Sequence, residues 1–399
     1  MIWKNYVFRH GIAVEDLWDQ MFADRRATGR PLSLLYVAGK GFDVRANVVA
    51  TKYVERLLAS ECEVGNASLL LVGFSGYQLS PELQTQTAKN AAELEETFRP
   101  VGGCEAIVIG GSAEGEDDIS ATVALRRGAD EVLRHVSSQT DIVLDVSSLP
   151  RIAYLTILLT LLAKIIPQGS EGEGLAAKGV TLQVLVAEDA ALDSQISSED
   201  PSNDLVLIPG YSEALQSEAL RDLPLVWLPI LGENRIAQIQ KIEEIIPSEA
   251  EICPVLPHPS RNPRRGDQLL VEYDSVLFAR RETPLSNILY AHEAHPFELY
   301  RQLLGAMTRY RKTLDVLGGC RLVVTPLASK LMTIGSALAC FEMKLLSADH
   351  RSSVAIPYAE PKRYVASIDA LLATRPDMSA LVLTGDAYLN AERAEVTDQ

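Results

Sequence analysis

Small-residue turns that directly follow apolar runs carry the residue types that could bind an anion. The first is the segment 39–45 (GKGFDVR), which follows the apolar run 32–38. Its glycines allow close backbone approach, and the N-terminus of a following helix favours negative charge. Lys40 and Arg45 add two positive charges, and Asp43 suits a helix N-cap. Neither the Walker A spacing nor a complete GxGxxG is present, so a helix cap with a solvated lysine is the alternative.

Three further turns follow the next apolar runs. They are 73–76 (GFSG), 110–112 (GGS) and 145–151 (DVSSLPR). The first two offer small residues and backbone N–H groups of the kind that form anion nests, although such turns are also common for backbone reasons alone. In the third, Asp145 ends an apolar run, where a carboxylate is costly to bury without a partner. Either it caps its turn or pairs with an arginine, or the turn contacts a phosphate or ribose.

The second half of the chain contains one similar turn and one basic loop. In 326–330 (PLASK), Ser329 suits an N-cap, whereas Lys330 would lie in a first helical turn, where the dipole disfavours cations. A lysine there indicates an anionic partner. The loop 258–265 (HPSRNPRR) has three arginines between Arg261 and Arg265. It is either solvated, a phosphate clamp, or an interface for an acidic protein partner.

These turns are positioned by a regular alternation of apolar runs and helical segments. Near-continuous Val/Ile/Leu runs between helices are typical of parallel sheets covered on both faces. We therefore predict an α/β fold with two Rossmann-like lobes, each a mainly parallel sheet flanked by helices. The predicted division is an N-terminal lead-in (1–30), a Rossmann-like domain (31–204) and a second α/β domain (205–399). Ligands of such sheets bind at the carboxyl ends of the strands, where strand order reverses.

The predicted strands are 32–38, 68–72, 106–109, 141–146, 180–186, 205–208, 225–230, 252–256, 269–278, 321–325, 354–356 and 380–384. The predicted helices are 14–25, 44–60, 81–98, 119–136, 152–166, 234–246, 297–317, 330–346 and 363–374. The segments 167–178 and 189–204 are expected to be polar connections.

Composition excludes several classes of protein. Of 399 residues, 47% are hydrophobic and 23% charged, which is typical of a folded globular chain. The formal net charge of −16 disfavours binding of long nucleic acid or of an anionic membrane. The run 152–166 is shorter than the roughly 20 residues of a membrane span, and the N-terminus lacks a signal-peptide pattern. Five scattered cysteines indicate reduced thiols. A cytoplasmic protein is therefore expected. No metal site is expected, because His292 and His295 have no third ligand nearby in the sequence.

The second half also carries a family resemblance. The segment 324–339 with its PLASK turn, followed by VAIPYAEP at 354–361, resembles the strand–turn–helix of CARF and SAVED domains. These are Rossmann-like modules of prokaryotic immunity that bind cyclic oligonucleotides. The resemblance implies a phosphate-rich ligand over the strand ends, usually across a dimer or pseudo-dimer, with Ser329 and Lys330 in contact with it. The chain departs from the pattern by having Pro-Leu-Ala where the family often has glycines.

The sequence therefore predicts a protein that binds a small phosphorylated or nucleotide-like ligand, with a sensing role in prokaryotic antiviral defence. The candidate ligand-binding residues are Lys40, Gly41, Asp43, Arg45, Ser75, Gly111, Ser112, Asp145, Ser147, Ser148, Arg151, Ser329 and Lys330. One alternative is a nucleotide hydrolase or transferase that uses Asp43 or Asp145. Another is a non-catalytic subunit that docks through the Arg261–Arg265 loop. No cofactor is indicated.

Overall fold

The computed structural model describes residues 1–110, 121–169, 174–193, 196–347 and 352–389. The chain groups into two compact units. Unit A contains the described residues of 3–119, 124–199 and 362–399, and unit B contains those of 1–2, 120–123 and 200–361.

The strands are, in chain order, β1 (Val7–His10), β2 (Leu32–Gly39), β3 (Val64–Phe74), β4 (Gly103–Ile109), β5 (Asp141–Asp145), β6 (Thr181–Glu188), β7 (Ser197–Leu207), β8 (Leu225–Ile230), β9 (Glu251–Ile252), β10 (Val255–Pro257), β11 (Leu289–Ala291), β12 (Cys320–Pro326), β13 (Ser352–Ala355), β14 (Pro357–Val365) and β15 (Asp377–Thr384). The helices are α1 (Ala13–Thr28), α2 (Arg45–Ala59), α3 (Pro81–Phe98), α4 (Ala121–Val136), α5 (Arg151–Ile165), α6 (Ala190–Asp193), α7 (Glu213–Gln216), α8 (Ile236–Glu243), α9 (Arg265–Tyr273), α10 (Pro296–Leu314), α11 (Lys330–Leu346) and α12 (Ile368–Leu372).

Unit A is built on a seven-stranded sheet in the order β1-β15-β6-β5-β2-β3-β4. The strands β2 to β6 are parallel to their neighbours within this set. From β2 the chain proceeds outward to β3 and β4, and it then returns to the other side of β2 to form β5 and β6. The strand order therefore reverses between the adjacent strands β2 and β5, and this is the switch point of unit A.

Burial explains why the centre of this sheet has so few polar residues. Every residue of β5 is buried, and β2 is buried along nearly its whole length. Helix α5 is apolar on all sides, and eleven of its 15 residues are buried. Such a helix is stable only inside a core. None of the described helices has both the length and the apolarity that crossing a membrane requires.

Unit B repeats the same logic on a smaller sheet. Its order is β11-β10-β8-β12-β13, with β9 also beside β8, and all pairings are parallel. The chain proceeds from β8 to β9, β10 and β11 on one side, and β12 and β13 lie on the other. The switch point of unit B is therefore between β8 and β12. Across it, the buried Trp227 donates its indole N–H to Thr325 Oγ1 at 2.9 Å.

The predicted fold class, two Rossmann-like lobes with mainly parallel sheets flanked by helices, is confirmed. The domain division differs at both ends of the chain. Residues 1–30, predicted as a lead-in, supply β1 and α1 to unit A. Residues 362–389, predicted within the second domain, also belong to unit A, because β15 pairs antiparallel with both β6 and β1. An antiparallel strand needs no crossover helix to reach its neighbours, so chain order does not reveal the partners of β15.

Three predicted elements are different in the structure. The segment 269–278 was predicted as a strand. Its first five residues belong to α9, and the next five, Asp274–Phe278, form one π-helical turn. Its buried residues 269, 273, 276 and 277 recur at helical spacing. The polar connection 189–204 contains α6 and most of β7, and the predicted helix 363–374 is divided between β14 and α12. The strands β7 and β14 pair as a separate two-stranded sheet, and the chain passes from one unit to the other along each of them.

Candidate functional site

The two loops at the switch point of unit A are in direct contact. These are the β2–α2 loop (40–44) and the β5–α5 loop (146–150). The Ser148 hydroxyl donates to the carbonyl of Gly39 at 2.9 Å. A Cβ atom at Gly39 would lie 2.6 Å from Ser148 Oγ and 2.9 Å from the backbone N of Leu149, and one at Gly41 would lie 2.9 Å from the Ser148 carbonyl oxygen. Both glycines are therefore required by loop-to-loop packing, and this role was not predicted.

Lys40 lies between these two glycines. Its backbone N–H donates to the carbonyl of Val72 at 2.8 Å, which continues the pairing of β2 with β3. Its side chain is exposed and forms no ion pair with any residue that the structure describes. Lys40 is thus a positive charge at the switch point that no described carboxylate neutralises.

Asp43 and Arg45 form a buried ion pair with each other. The Asp43 carboxylate accepts from the Arg45 backbone N–H at 3.0 Å and from its guanidinium at 2.6 and 2.9 Å. Arg45, only 2% exposed, also contacts Asp193 at 2.8 Å. Burial alone would lower the pKa of Arg45, but the two carboxylates raise it above its usual range. The charge of Arg45 is therefore already balanced within the protein, and the pair tethers the start of α2.

Asp145 and Ser147 are buried polar links between strands. Asp145 is fully buried and accepts from Tyr36 Oη at 3.0 Å and from the Ser147 backbone N–H at 2.9 Å. Ser147, also fully buried, accepts from the backbone N–H of Ala187 at 2.9 Å. Burial and the charge of Asp145 together raise the pKa of Tyr36. These contacts connect the ends of β2, β5 and β6, as expected of buried polar groups that require partners.

The remaining predicted residues of unit A lie along the same edge. Arg151 is the first residue of α5 and is half-buried, and it follows Pro150, whose side chain cannot cap the helix. Ser75, at the end of β3, is exposed, and its hydroxyl donates to the carbonyl of Gly110. Gly111 and Ser112 lie outside the described residues. The structure therefore brings the 39–45 and 145–151 segments together, with Ser75 on the adjacent strand.

An aromatic cluster beside this edge was not predicted. Phe42 contacts Tyr364 with ring centroids 6.2 Å apart, Tyr364 contacts Tyr77 at 4.9 Å, and Tyr77 contacts Phe74 at 5.5 Å. The last three rings are half-buried. Aromatic residues next to the ends of β2 and β3 are visible in the sequence. The contribution of Tyr364 is not, because it follows from residues 362–389 joining unit A.

The switch point of unit B has an equivalent close approach. A Cβ atom at Gly232, after β8, would lie 2.5 Å from the Leu327 carbonyl oxygen and 2.8 Å from Cα of Ala328, after β12. Ser329 is the N-cap of α11 and accepts from the backbone N–H of Met332 at 3.3 Å. Lys330 is the first residue of that helix and is half-buried.

The Arg261–Arg265 loop is held to this edge of unit B by ion pairs. Arg265 donates to the carboxylates of Glu233 and Glu293, and Glu293 also accepts from the Arg261 backbone N–H at 2.8 Å. Burial alone would raise the pKa of both glutamates, but the hydrogen bonds and charge of Arg265 lower the pKa of Glu233. Hydrogen bonds from Ser260, from the Arg261 backbone and from Arg265, together with the charge of Arg265, lower the pKa of Glu293. Arg265 is therefore a structural residue of its own loop.

The described residues contain no group of three or more His, Cys, Asp or Glu side chains that could hold a metal ion. All five cysteines are free thiols, and four of them are buried.

Comparisons with known proteins identify no family. No family model matches the sequence, and no curated protein matches it. The similar solved structures include two with low scores. One, described as a UDP-N-acetylglucosamine 2-epimerase of Listeria monocytogenes, has a TM-score of 0.22 and 8% identity, and the alignment covers 80% of this chain and 89% of that one. The other, a protein of unknown function from Pseudomonas aeruginosa, has a TM-score of 0.21 and 9% identity, with 86% and 95% covered. At these scores neither similarity supports a functional argument, so the function must be argued from the site.

Proposed function

We propose that the protein binds a small phosphorylated or nucleotide-like ligand at the switch point of unit A, with Lys40 in contact with its phosphate. One observation carries the proposal: Lys40 is exposed on a switch-point loop and forms no ion pair with any described residue. The chain has 53 acidic and 37 basic residues, so carboxylates outnumber the cations that they could pair with. A lysine left unpaired at this position favours an anionic ligand.

The neighbouring groups suit a phosphate. Helix α5 begins beside the β2–α2 loop, and its N-cap residue, Pro150, has no side chain that could accept from the first amides of the helix. Helix N-termini carry partial positive charge and bind phosphates readily. Arg151 lies at the start of that helix and is half-buried.

The same contacts disfavour catalysis by the two aspartates. Asp43 is paired with Arg45, and Asp145 is fully buried behind Tyr36 and Ser147. An acid, base or metal-ligand role requires a carboxylate that reaches the substrate. We therefore propose binding rather than turnover. The sensing role in prokaryotic defence, and a dimer that shares the ligand, rest on the CARF and SAVED resemblance alone.

The test is ligand-dependent thermal stabilisation of the full chain. The panel consists of nucleoside mono-, di- and triphosphates, cyclic dinucleotides and inorganic phosphate, measured on wild type, Lys40→Ala and Lys89→Ala. Lys89 is an exposed lysine of α3 that lies 3.8 Å from Glu93, so its replacement makes the same charge change elsewhere in unit A. A hydrogen bond to a charged group contributes about 1.5–3 kcal/mol, which corresponds to roughly 10- to 150-fold in Kd.

We expect at least one panel member to stabilise wild type and Lys89→Ala equally and Lys40→Ala much less. A ligand shift that is unchanged in Lys40→Ala would refute the site. No shift with any phosphorylated ligand would refute the ligand class.

A further inference from the structure

A cavity of about 530 Å³ lies in unit B at the amino ends of the sheet strands. One wall is formed by the first residues of β8, β9 and β11, and the other by the C-terminal half of α10, from Ala306 to Leu314. The volume lies within the range of roughly 300–1,000 Å³ typical of small-molecule sites. Because β8 runs from this cavity to the Gly232 loop, the cavity is at the opposite edge of the sheet from the switch point.

Opposite charges line this cavity without pairing. Arg309 of α10 is exposed and forms no ion pair with any described residue. Glu249 and Glu251 line the same cavity from the β9 side. The Glu249 carboxylate accepts from its own backbone N–H and from Ser248, which lowers its pKa and keeps it ionised at neutral pH. Opposite charges within about 4 Å of each other form an ion pair. Because Arg309 forms none with Glu249 or Glu251, each of these charges is available to a ligand that spans the cavity.

The inner surface between these charges is polar but neutral. The Cys253 thiol donates to the Asn287 carbonyl at 3.0 Å, and the Tyr310 hydroxyl hydrogen-bonds to its sulfur. Burial raises the pKa of Cys253 to about 11, so the thiol is uncharged. The Asn287 side chain donates to Glu251 and to the carbonyl of Ile252, which fixes the position of that carboxylate.

Apart from the hydroxyl side chains of Ser286 and Thr313, the rest of the lining is apolar. It consists of Pro224, Leu225, Val226, Leu289, Ala306, Leu314 and Leu317. A ligand that fits must therefore combine one anionic group, one cationic group and an apolar body.

We propose that this cavity binds a small zwitterion with an apolar side chain, the chemistry of an apolar α-amino acid. The carboxylate pairs with Arg309, where a guanidinium can donate two parallel hydrogen bonds. The ammonium pairs with Glu251 and Glu249, and the side chain packs on the apolar wall. This site is independent of the phosphate site proposed for unit A.

The test is isothermal titration calorimetry of the full chain with L-leucine and L-phenylalanine. Two analogues of leucine each lack one charge: L-leucinamide has no carboxylate, and 4-methylpentanoate has no amine. The variants are Arg309→Met and, as control, Lys312→Met, which removes an exposed cation of the same helix that does not line the cavity. Both side chains are exposed, so both variants should fold, and circular dichroism checks this.

We expect one of the two amino acids to bind wild type at least tenfold more tightly than either analogue of leucine binds. Arg309→Met should lose at least tenfold in affinity for the amino acid and none for leucinamide, and Lys312→Met should match wild type. Absence of binding by both amino acids, leucinamide binding as tightly as leucine, or equal losses in Arg309→Met and Lys312→Met would each overturn the proposal. None of these outcomes bears on the Lys40 site.

Discussion

Gly39→Ala tests the close approach of the two switch-point loops in unit A. The added Cβ would lie 2.6 Å from Ser148 Oγ and 2.9 Å from the backbone N of Leu149, whereas ordinary contacts begin near 3.4 Å. The Ser148 side chain can rotate, but the backbone of Leu149 cannot move without displacing the start of α5. Overpacking of this kind costs about 1–3 kcal/mol.

Two smaller contributions accompany the clash. Rotation of Ser148 breaks its hydrogen bond to Gly39, which contributes about 0.5–1.5 kcal/mol. Alanine also restricts the unfolded chain and so stabilises by about 0.4–1 kcal/mol. The net expectation is a loss of roughly 1–3 kcal/mol in the free energy of unfolding. For a unit of this size that lowers Tm by about 2–4 °C per kcal/mol.

The assay is urea unfolding followed by circular dichroism, with Gly103→Ala as the matched control. Gly103 lies in β4 of the same sheet, and a Cβ there would meet nothing within 4 Å. The control should stay within about 0.5 kcal/mol of wild type. If Gly39→Ala is equally neutral, the loops are not packed as described, and the switch-point site loses its geometry. If both are destabilising, the loss is a property of glycine replacement in this sheet and not of the loop contact.

Three further predictions concern other parts of the chain. Gly232→Ala should destabilise unit B by about 1–3 kcal/mol, and Gly266→Ala, where a Cβ meets nothing within 4 Å, should not; chemical unfolding measures both. Arg265→Met should destabilise by about 1–3 kcal/mol at pH 7. Because the pKa of Glu233 is lowered in the folded state, this contribution is present above about pH 4.3 and is lost as the pH falls through the folded pKa, so the two unfolding curves should converge as the pH is lowered further. With a thiol reagent under native conditions, Cys104 should react first, since it is half-buried and the other four cysteines are buried; peptide mass spectrometry identifies the labelled site.

Each of these predictions has an outcome that contradicts it. Equal stability of the Gly232 and Gly266 variants would mean that the unit B loops are apart. A stability difference for Arg265→Met that does not shrink as the pH is lowered through the acid range would show that the arginine acts through packing and not through its glutamates. Arg264→Met, which removes an exposed cation of the same loop, should have no pH-dependent effect. Rapid labelling of any cysteine other than Cys104 would contradict its burial.

Many elements were predictable because their signals are local. Helix α3 begins at Pro81 with Ser80 as its cap, and α11 begins after the capping Ser329; both helices have the predicted bounds. Proline at the first helical position and serine at the N-cap are strong start signals that involve only adjacent residues. The parallel sheets were predictable for a similar reason, since fully buried strands are continuous apolar runs.

Elements whose partners are remote in sequence were not predictable. Strand β15 reads as one more strand of the second half, yet it completes the sheet of unit A. The segment 269–278 is apolar enough for a strand, and only its packing shows the helical spacing of its buried residues. For β15 the deciding interaction joins residues that local patterns cannot relate, and for 269–278 the packing selects which of several apolar residues are buried.

The residue types that follow each strand are set by the sequence, so glycines, serines and cations gather at the carboxyl edges of two parallel sheets. Which of those cations are already neutralised depends on how the chain folds. Arg45 meets Asp193 from α6, and Arg265 meets Glu233 and Glu293 from two other loops, whereas Lys40 meets no described carboxylate. The physical reason is that charges interact through space, over a few ångströms, and strand order determines which distant residues come that close.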